Sequence, residues 1–379
     1  MFHVFGRSSV SEFLADRIVY RNLEPADARL PSLESQRGRL GLPEGQTPRK
    51  SEADYARVIV ELLKAAHRQD DRRGAIRRLV LIGDTRLLDG TAFENICLAG
   101  SWPGLAFIGS ETRHPPATEI LALPNGQSLY LANRWAAMQE FDRYCANQGM
   151  PIAGDTAVVI DLDKTAIGAR GRNSQTIDRA RVRAVHITVA GILGEAFEAA
   201  AFQRAYDLLN RPEFHPFTAD NQDYLAYICL ILGGRLYDLE EVAGQVRGGR
   251  LTSFRQFIDH VEAQAGKLPS ALGQVHRQIY ANVLSGDPTP FKAFRRNEYL
   301  STVGRMGRLG DADPAEKLLA EEIVITQEVR AMALEWRRRG ALLFGLSDKP
   351  DEASLPTPEQ AAQGYRPIHQ TETHIVGMD

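Results

Sequence analysis

Apolar residues recur along this chain in two rhythms. In one, short aliphatic runs are closed by polar turns, as in Leu79–Ile82, Leu105–Ile108, Ala157–Asp161 and Ala341–Leu346. Such unbroken runs predict strands buried on both faces. In the other, Tyr55, Val58, Ile59, Leu62, Leu63 and Ala66 share one helical face, with Ser51 placed as N-cap. Thr91–Ala99 and Arg134–Asn147 predict further helices. So does the face formed by Val329, Met332, Ala333 and Trp336, which Gly340 ends. Glu119–Leu123 and Ser128–Leu131 alternate around Asn125-Gly126, a hairpin pattern with room for a longer loop. Toward the N-terminus, Ser11–Tyr20 reads as a short helix. Pro25–Pro48, rich in Pro, Gly, Arg and Glu, reads as a long loop. A polar break over Arg68–Arg73 separates the long helix from the first buried strand.

From about residue 170 to 325 the strand rhythm disappears. Helical periodicity covers 178–208, 222–233, 252–265, 270–284 and 313–322, punctuated by Arg211-Pro212, Gly233-Gly234, Gly248-Gly249 and Asp287-Pro288. No fixed period recurs, so this is one helical insertion and not a repeat array. Strands alternate with helices on either side of it. That alternation predicts an α/β fold, a parallel sheet with helices on both faces.

Composition narrows the function classes. A net charge of -3 argues against a general nucleic-acid binder. No apolar run approaches the ~20 residues needed to span a bilayer, and Met1–Val10 lacks the apolar stretch of a secretory signal. Cys97, Cys145 and Cys229 form no CxxC pair, which fits a reduced, cytoplasmic setting and offers no zinc site. The histidines show no metal-ligand spacing.

Three of the apolar runs end in polar groups: Asp84, the pair Asp161 and Asp163, and Ser347. In a parallel sheet these ends lie on one edge, where open α/β sheets bind ligands. Carboxylates gathered there suit Mg²⁺, a hard cation that takes few protein oxygens and shares phosphate oxygens.

The segment Asp161-Leu162-Asp163-Lys164-Thr165, after Val158-Val159-Ile160, resembles the first motif of the haloacid dehalogenase (HAD) superfamily. Ser347, in Leu346-Ser347-Asp348-Lys349-Pro350, resembles the second. Gly83-Asp84 followed by Asp89 resembles the fourth, and Lys50, just before an amphipathic helix, the third. The succession here is third, fourth, first, second. The resemblance therefore implies a circularly permuted, Rossmann-like HAD domain, which surface termini lying close together make tolerable. Core residues 1–168 would carry the third, fourth and first motifs, 169–325 a helical cap, and 326–379 the second motif and a last strand, Thr373–Val376. That strand would be the one preceding the lysine motif in the unpermuted order.

The resemblance implies Mg²⁺-dependent phosphatase chemistry on a phosphorylated small molecule. Asp161 would be the nucleophile and Asp163 the general acid and base. Asp161, the Asp163 carbonyl and Asp84 would hold the metal, with Asp89 supporting it. Ser347 and Lys50 would hold the phosphate, Lys349 being the alternative lysine; Thr165 is grouped with them, its main expected task being to fix the turn. Arg170 and Arg172 would meet an anionic substrate, and the cap would close over the site. The second carboxylate, Asp163, favours a phosphatase or phosphomutase over dehalogenase-type members. Competing readings are a nucleic-acid end phosphatase and a non-catalytic scaffold whose helical region binds a partner.

Overall fold

The computed structural model describes residues 1–70 and 74–378; the polar break read over Arg68–Arg73 falls partly outside them. Its strands are β1 (His3–Ser8), β2 (Ile18–Val19), β3 (Arg78–Gly83), β4 (Gly104–Gly109), β5 (Thr118–Ala122), β6 (Ser128–Ala132), β7 (Thr156–Asp161), β8 (Ile325–Thr326), β9 (Leu342–Leu346) and β10 (Thr373–Gly377). Seven form one sheet in the order β2-β9-β7-β3-β4-β6-β5. All neighbours in it are parallel except β5, which returns antiparallel along β6 as the hairpin pattern predicts.

Alternate side chains of these strands enter different layers. Leu79 and Leu81 of β3, Ala157 and Val159 of β7, and Leu342 and Phe344 of β9 join one core with the helix Ala53–Gln69. Phe107 of β4 points the other way, onto Phe141 of the helix Met138–Asn147, ring centroids 5.5 Å apart. The sheet is thus covered on both faces, which is why its central strands read as continuous apolar runs.

The expectations that need correction include the single helical span 178–208, which the structure breaks between the helices Ser174–Leu193 and Ala199–Leu209. Pro25–Pro48 is not all loop. It holds a helix, Leu33–Leu40, capped by the Ser32 hydroxyl, which accepts from Ser35 N–H, and closed by Gly41 at φ 62°. The helix over Ser11–Tyr20 is only Ser11–Leu14, and the chain then forms β2. The long helix starts at Ala53 with Glu52, not Ser51, at its N-cap. Thr373–Val376 is a strand, but it pairs with β1 and β8 in a separate three-stranded sheet, and β2 takes the place beside β9. The insertion is also shorter than 169–325. The chain divides into two compact units, Met1–Arg179 with Thr302–Asp379, and Ala180–Ser301. Residues flanking the helical unit belong to the first unit because buried Asn173 ties them in. Its amide donates to the carbonyls of Leu319 and Glu322 at 2.7 and 2.8 Å.

The helical unit has its own core, with Phe214, Phe217, Tyr227, Phe257 and Phe294 fully buried. Inside it Arg295 pairs with Asp223 and with Glu298, a buried charge set that is satisfied on both sides.

Just beyond β9, Asp351 carries a testable electrostatic cost. Burial, with help from Glu352 and Glu24, pushes its carboxyl up to about 6, against the pull of the Asn22 N–H. A carboxyl raised above its unfolded value holds extra protons in the folded state, so stability is lost as pH rises from about 4 to 6. Asp351→Asn keeps the acceptor for Asn22 and removes the charge. It is expected to stabilise the protein by about 2 kcal/mol at pH 7.5 and not at pH 4, read by thermal melts at the two pH values; equal melting temperatures at pH 7.5 would contradict it.

Candidate active site

β7 lies between β3 and β9, with Ile160 opposite Ile82 and Asp161 opposite Leu346. The three strands therefore deliver Asp84, Asp161 and Ser347 to the same edge. After Asp161 the chain turns sharply. Leu162 N–H reaches back to the Leu346 carbonyl, and Lys164 sits in the left-handed region at φ 62°.

Lys50 comes from the turn before the helix Ala53–Gln69 and is buried, 2% exposed. Its Nζ donates to Asp161 Oδ1 and to Asp89 Oδ1, each at 2.6 Å. Asp89 is fixed from its other oxygen, which accepts from Asp84 N–H, Thr85 N–H and Thr85 Oγ1 at 2.8–2.9 Å. Asp84 pairs with Arg170. Asp84, Asp89 and Asp161 present carboxylate oxygens within 4.8 Å of one another.

The electrostatics follow from this crowding. Burial raises the Asp161 carboxyl well above the usual range, with Asp89 and Asp84 adding repulsion and Lys50 opposing. Asp84 is pushed up to about 6 by burial and by Asp89, against Arg170 and Lys50. Burial works against the Lys50 ammonium, but Asp161 and Asp89 overcome it and hold the proton firmly. Burial also works against ionised Asp89, yet Lys50 and the Thr85 donors keep its carboxyl below the usual range. The site is thus an acidic cluster short of positive charge.

Asp163 lies beside Lys349, 3.6 Å from its Nζ, while its other oxygen is buried without a hydrogen-bond partner among the described residues. Of the two candidate lysines, Lys50 therefore stands on the Asp161 carboxylate and Lys349 on Asp163. Ser347 is buried, and its Oγ accepts from Lys349 N–H at 3.1 Å.

One candidate, Arg172, is engaged by protein partners. Arg172 is buried; it forks onto Glu328 at 2.8 and 2.9 Å, reaches Glu111 at 2.8 Å and lies over the Phe2 ring, so it is a structural strut. Thr165 is fully buried; its carbonyl accepts from Thr326 Oγ1 at 2.6 Å, which ties down the turn, and its own Oγ1 has no hydrogen-bond partner among the described residues. Two contributors escape a reading of motifs. Thr85 orients Asp89, and its place next to Asp84 was the available signal. Tyr55, which reads as a plain core position, has a buried hydroxyl with no hydrogen-bond partner among the described residues. Burial raises its phenol, and the charges of Lys50, Asp348, Asp161 and Asp89 act on it.

Compared with known proteins, the chain matches no family model, no curated protein and no solved structure.

Proposed function

We propose that the chain is a Mg²⁺-dependent phosphatase that cleaves a phosphomonoester through an aspartyl-phosphate on Asp161, on a core resembling a circularly permuted HAD domain. The observation that carries this reading is the Lys50 ammonium 2.6 Å from both Asp161 and Asp89, with Asp84 alongside, at one edge of three adjacent parallel strands. Residues distant in sequence converge there, which supports this reading.

In this reading an Asp161 oxygen attacks phosphorus while Lys50 and the Ser347 hydroxyl hold the equatorial oxygens, where charge is spread in the transition state. Asp163 gives a proton to the departing alkoxide and then takes one from the water that hydrolyses the acyl phosphate. Its partnerless oxygen leaves it able to do both. Lys349 keeps Asp163 in place, and Thr85 keeps Asp89 turned toward Lys50.

The donor set fits a hard cation. It is all oxygen, it is buried, and it carries more negative charge than Lys50 can balance. Asp161 and Asp84 would hold Mg²⁺ together with the Asp163 carbonyl, the last on the resemblance alone; bound there, the ion would neutralise charge between nucleophile and phosphate. Arg170 would have to leave Asp84.

The test is hydrolysis of a panel of aryl and alkyl phosphates with Mg²⁺ and with chelator. Magnesium-dependent turnover of at least one ester is expected. No turnover across the panel, together with no Mg²⁺ binding by calorimetry, would overturn the phosphatase reading.

A further inference from the structure

A cavity of about 400 Å³ opens beside Asp84, at the ends of β3, β4 and β6. Ile108 and Leu131 give it apolar walls, and Arg86 and Arg170 line it. The wall at Asn133 is rigid, since that amide accepts from Ala117 N–H and donates to the Pro115 carbonyl, both at 2.8 Å. Arg86 is exposed and makes no hydrogen bond or ion pair among the described residues. The Glu119 side chain, on the rim, makes none either among the described residues.

Arg170 differs from both. Its backbone is pinned: its N–H donates to the Lys164 carbonyl at 2.7 Å, and its carbonyl accepts from Glu111 N–H and from Trp135 Nε1. Gly171 next to it has φ 76°, and a Cβ there would lie 2.0 Å from the Glu111 carbonyl oxygen. Only the side chain is left unpinned by the backbone, and it spans its partner Asp84 and the cavity. When Asp84 serves a metal, as in the function proposed above, the Arg170 guanidinium loses its carboxylate. Two arginines then face the single carboxylate of Glu119 in the cavity. A guanidinium pair of this kind matches a planar carboxylate or a second phosphate.

We infer that the substrate of this site is a phosphomonoester carrying a second anionic group, which Arg86 and Arg170 bind in the cavity beside Asp84. The apolar walls and the cavity volume set a compact organic body between the two anions. This inference rests on the phosphatase reading for which end of the substrate lies at Asp161.

The test uses calorimetric titration of phenylphosphonate and para-carboxyphenylphosphonate into the full chain with Mg²⁺, alongside phenyl phosphate hydrolysis in the same preparations. The carboxylated phosphonate is expected to bind about tenfold tighter than its parent, the scale of one charge-assisted hydrogen-bonded pair. Arg86→Gln is expected to erase that ratio and Arg86→Lys to restore part of it. Equal affinities in the unaltered protein, a preference that survives Arg86→Gln, or no phosphonate binding at all would overturn the inference. Hydrolysis without the preference removes the inference and leaves the phosphatase reading. The preference without hydrolysis of phenyl phosphate supports the dianion pocket and leaves the phosphatase reading to the ester panel.

Discussion

Asp161→Asn is expected to remove phosphate-ester hydrolysis, by roughly ten-thousandfold or more, without harming the fold. The substitution keeps the shape and an oxygen that accepts from Lys50, but an amide cannot form an acyl phosphate. Lys50 also retains Asp89 at 2.6 Å. The structural side of the prediction has a definite sign. Burial and the neighbouring Asp89 and Asp84 raise the Asp161 carboxyl, so its ionised form is disfavoured in the folded, metal-free chain. A raised carboxyl costs stability as pH increases above its unfolded value. The Asn variant is therefore expected to melt no lower than the unaltered protein at pH 7 in chelator. Full hydrolysis by the variant would remove Asp161 as nucleophile; a collapsed fold would remove the charge account.

Lys50→Met is expected to have the largest effect on stability. It strips the cation from two carboxylates that are 1% and 7% exposed, Asp89 and Asp161. Removing one partner of a buried pair leaves an uncompensated charge, with a cost of about 3–5 kcal/mol. Burial already raises the Asp161 carboxyl, and removing Lys50 takes away the largest pull that opposes burial at Asp161 and at Asp89, so the penalty is present at neutral pH and fades as pH falls toward the unfolded carboxylate range. Mg²⁺ should restore part of the loss by replacing the missing positive charge. Denaturant titrations at pH 7 and pH 5, with and without Mg²⁺, read this directly. A destabilisation of equal size under all four conditions would mean that Lys50 matters by packing and not by charge.

Much of this site is legible in the sequence because each part is local. An apolar run that stops at Asp161 or at Asp84 announces both the strand and its polar end, and parallel order does the rest. The Asn125-Gly126 hairpin and the helices Gln222–Gly233 and Ser270–Leu284 are similarly local and appear at the expected places. What the sequence hides is pairing at a distance. Ile18–Val19 is too short to show a period, yet it pairs with Gly345 and Leu346 and borders the sheet. Thr373–Gly377 has the composition of any buried strand, and nothing local says that it joins His3–Ser8 in a second sheet. Arg172 sits in a glycine-rich loop that looks solvated; its partner Glu328 lies 156 residues on. The helix Leu33–Leu40 was marked by Ser32 and Gly41, but surrounding prolines and a polar face masked those caps.

The central claim is that Asp161 is phosphorylated during turnover, and mapping the phosphoryl group after a rapid acid quench tests it most directly. Protein mixed with excess ester and Mg²⁺, quenched within one turnover and reduced with borohydride, is expected to carry its modification in the peptide holding Asp161. It should be absent from the Asp161→Asn variant. Hydrolysis that proceeds with no modified aspartate, or with the group on another residue, would contradict the account.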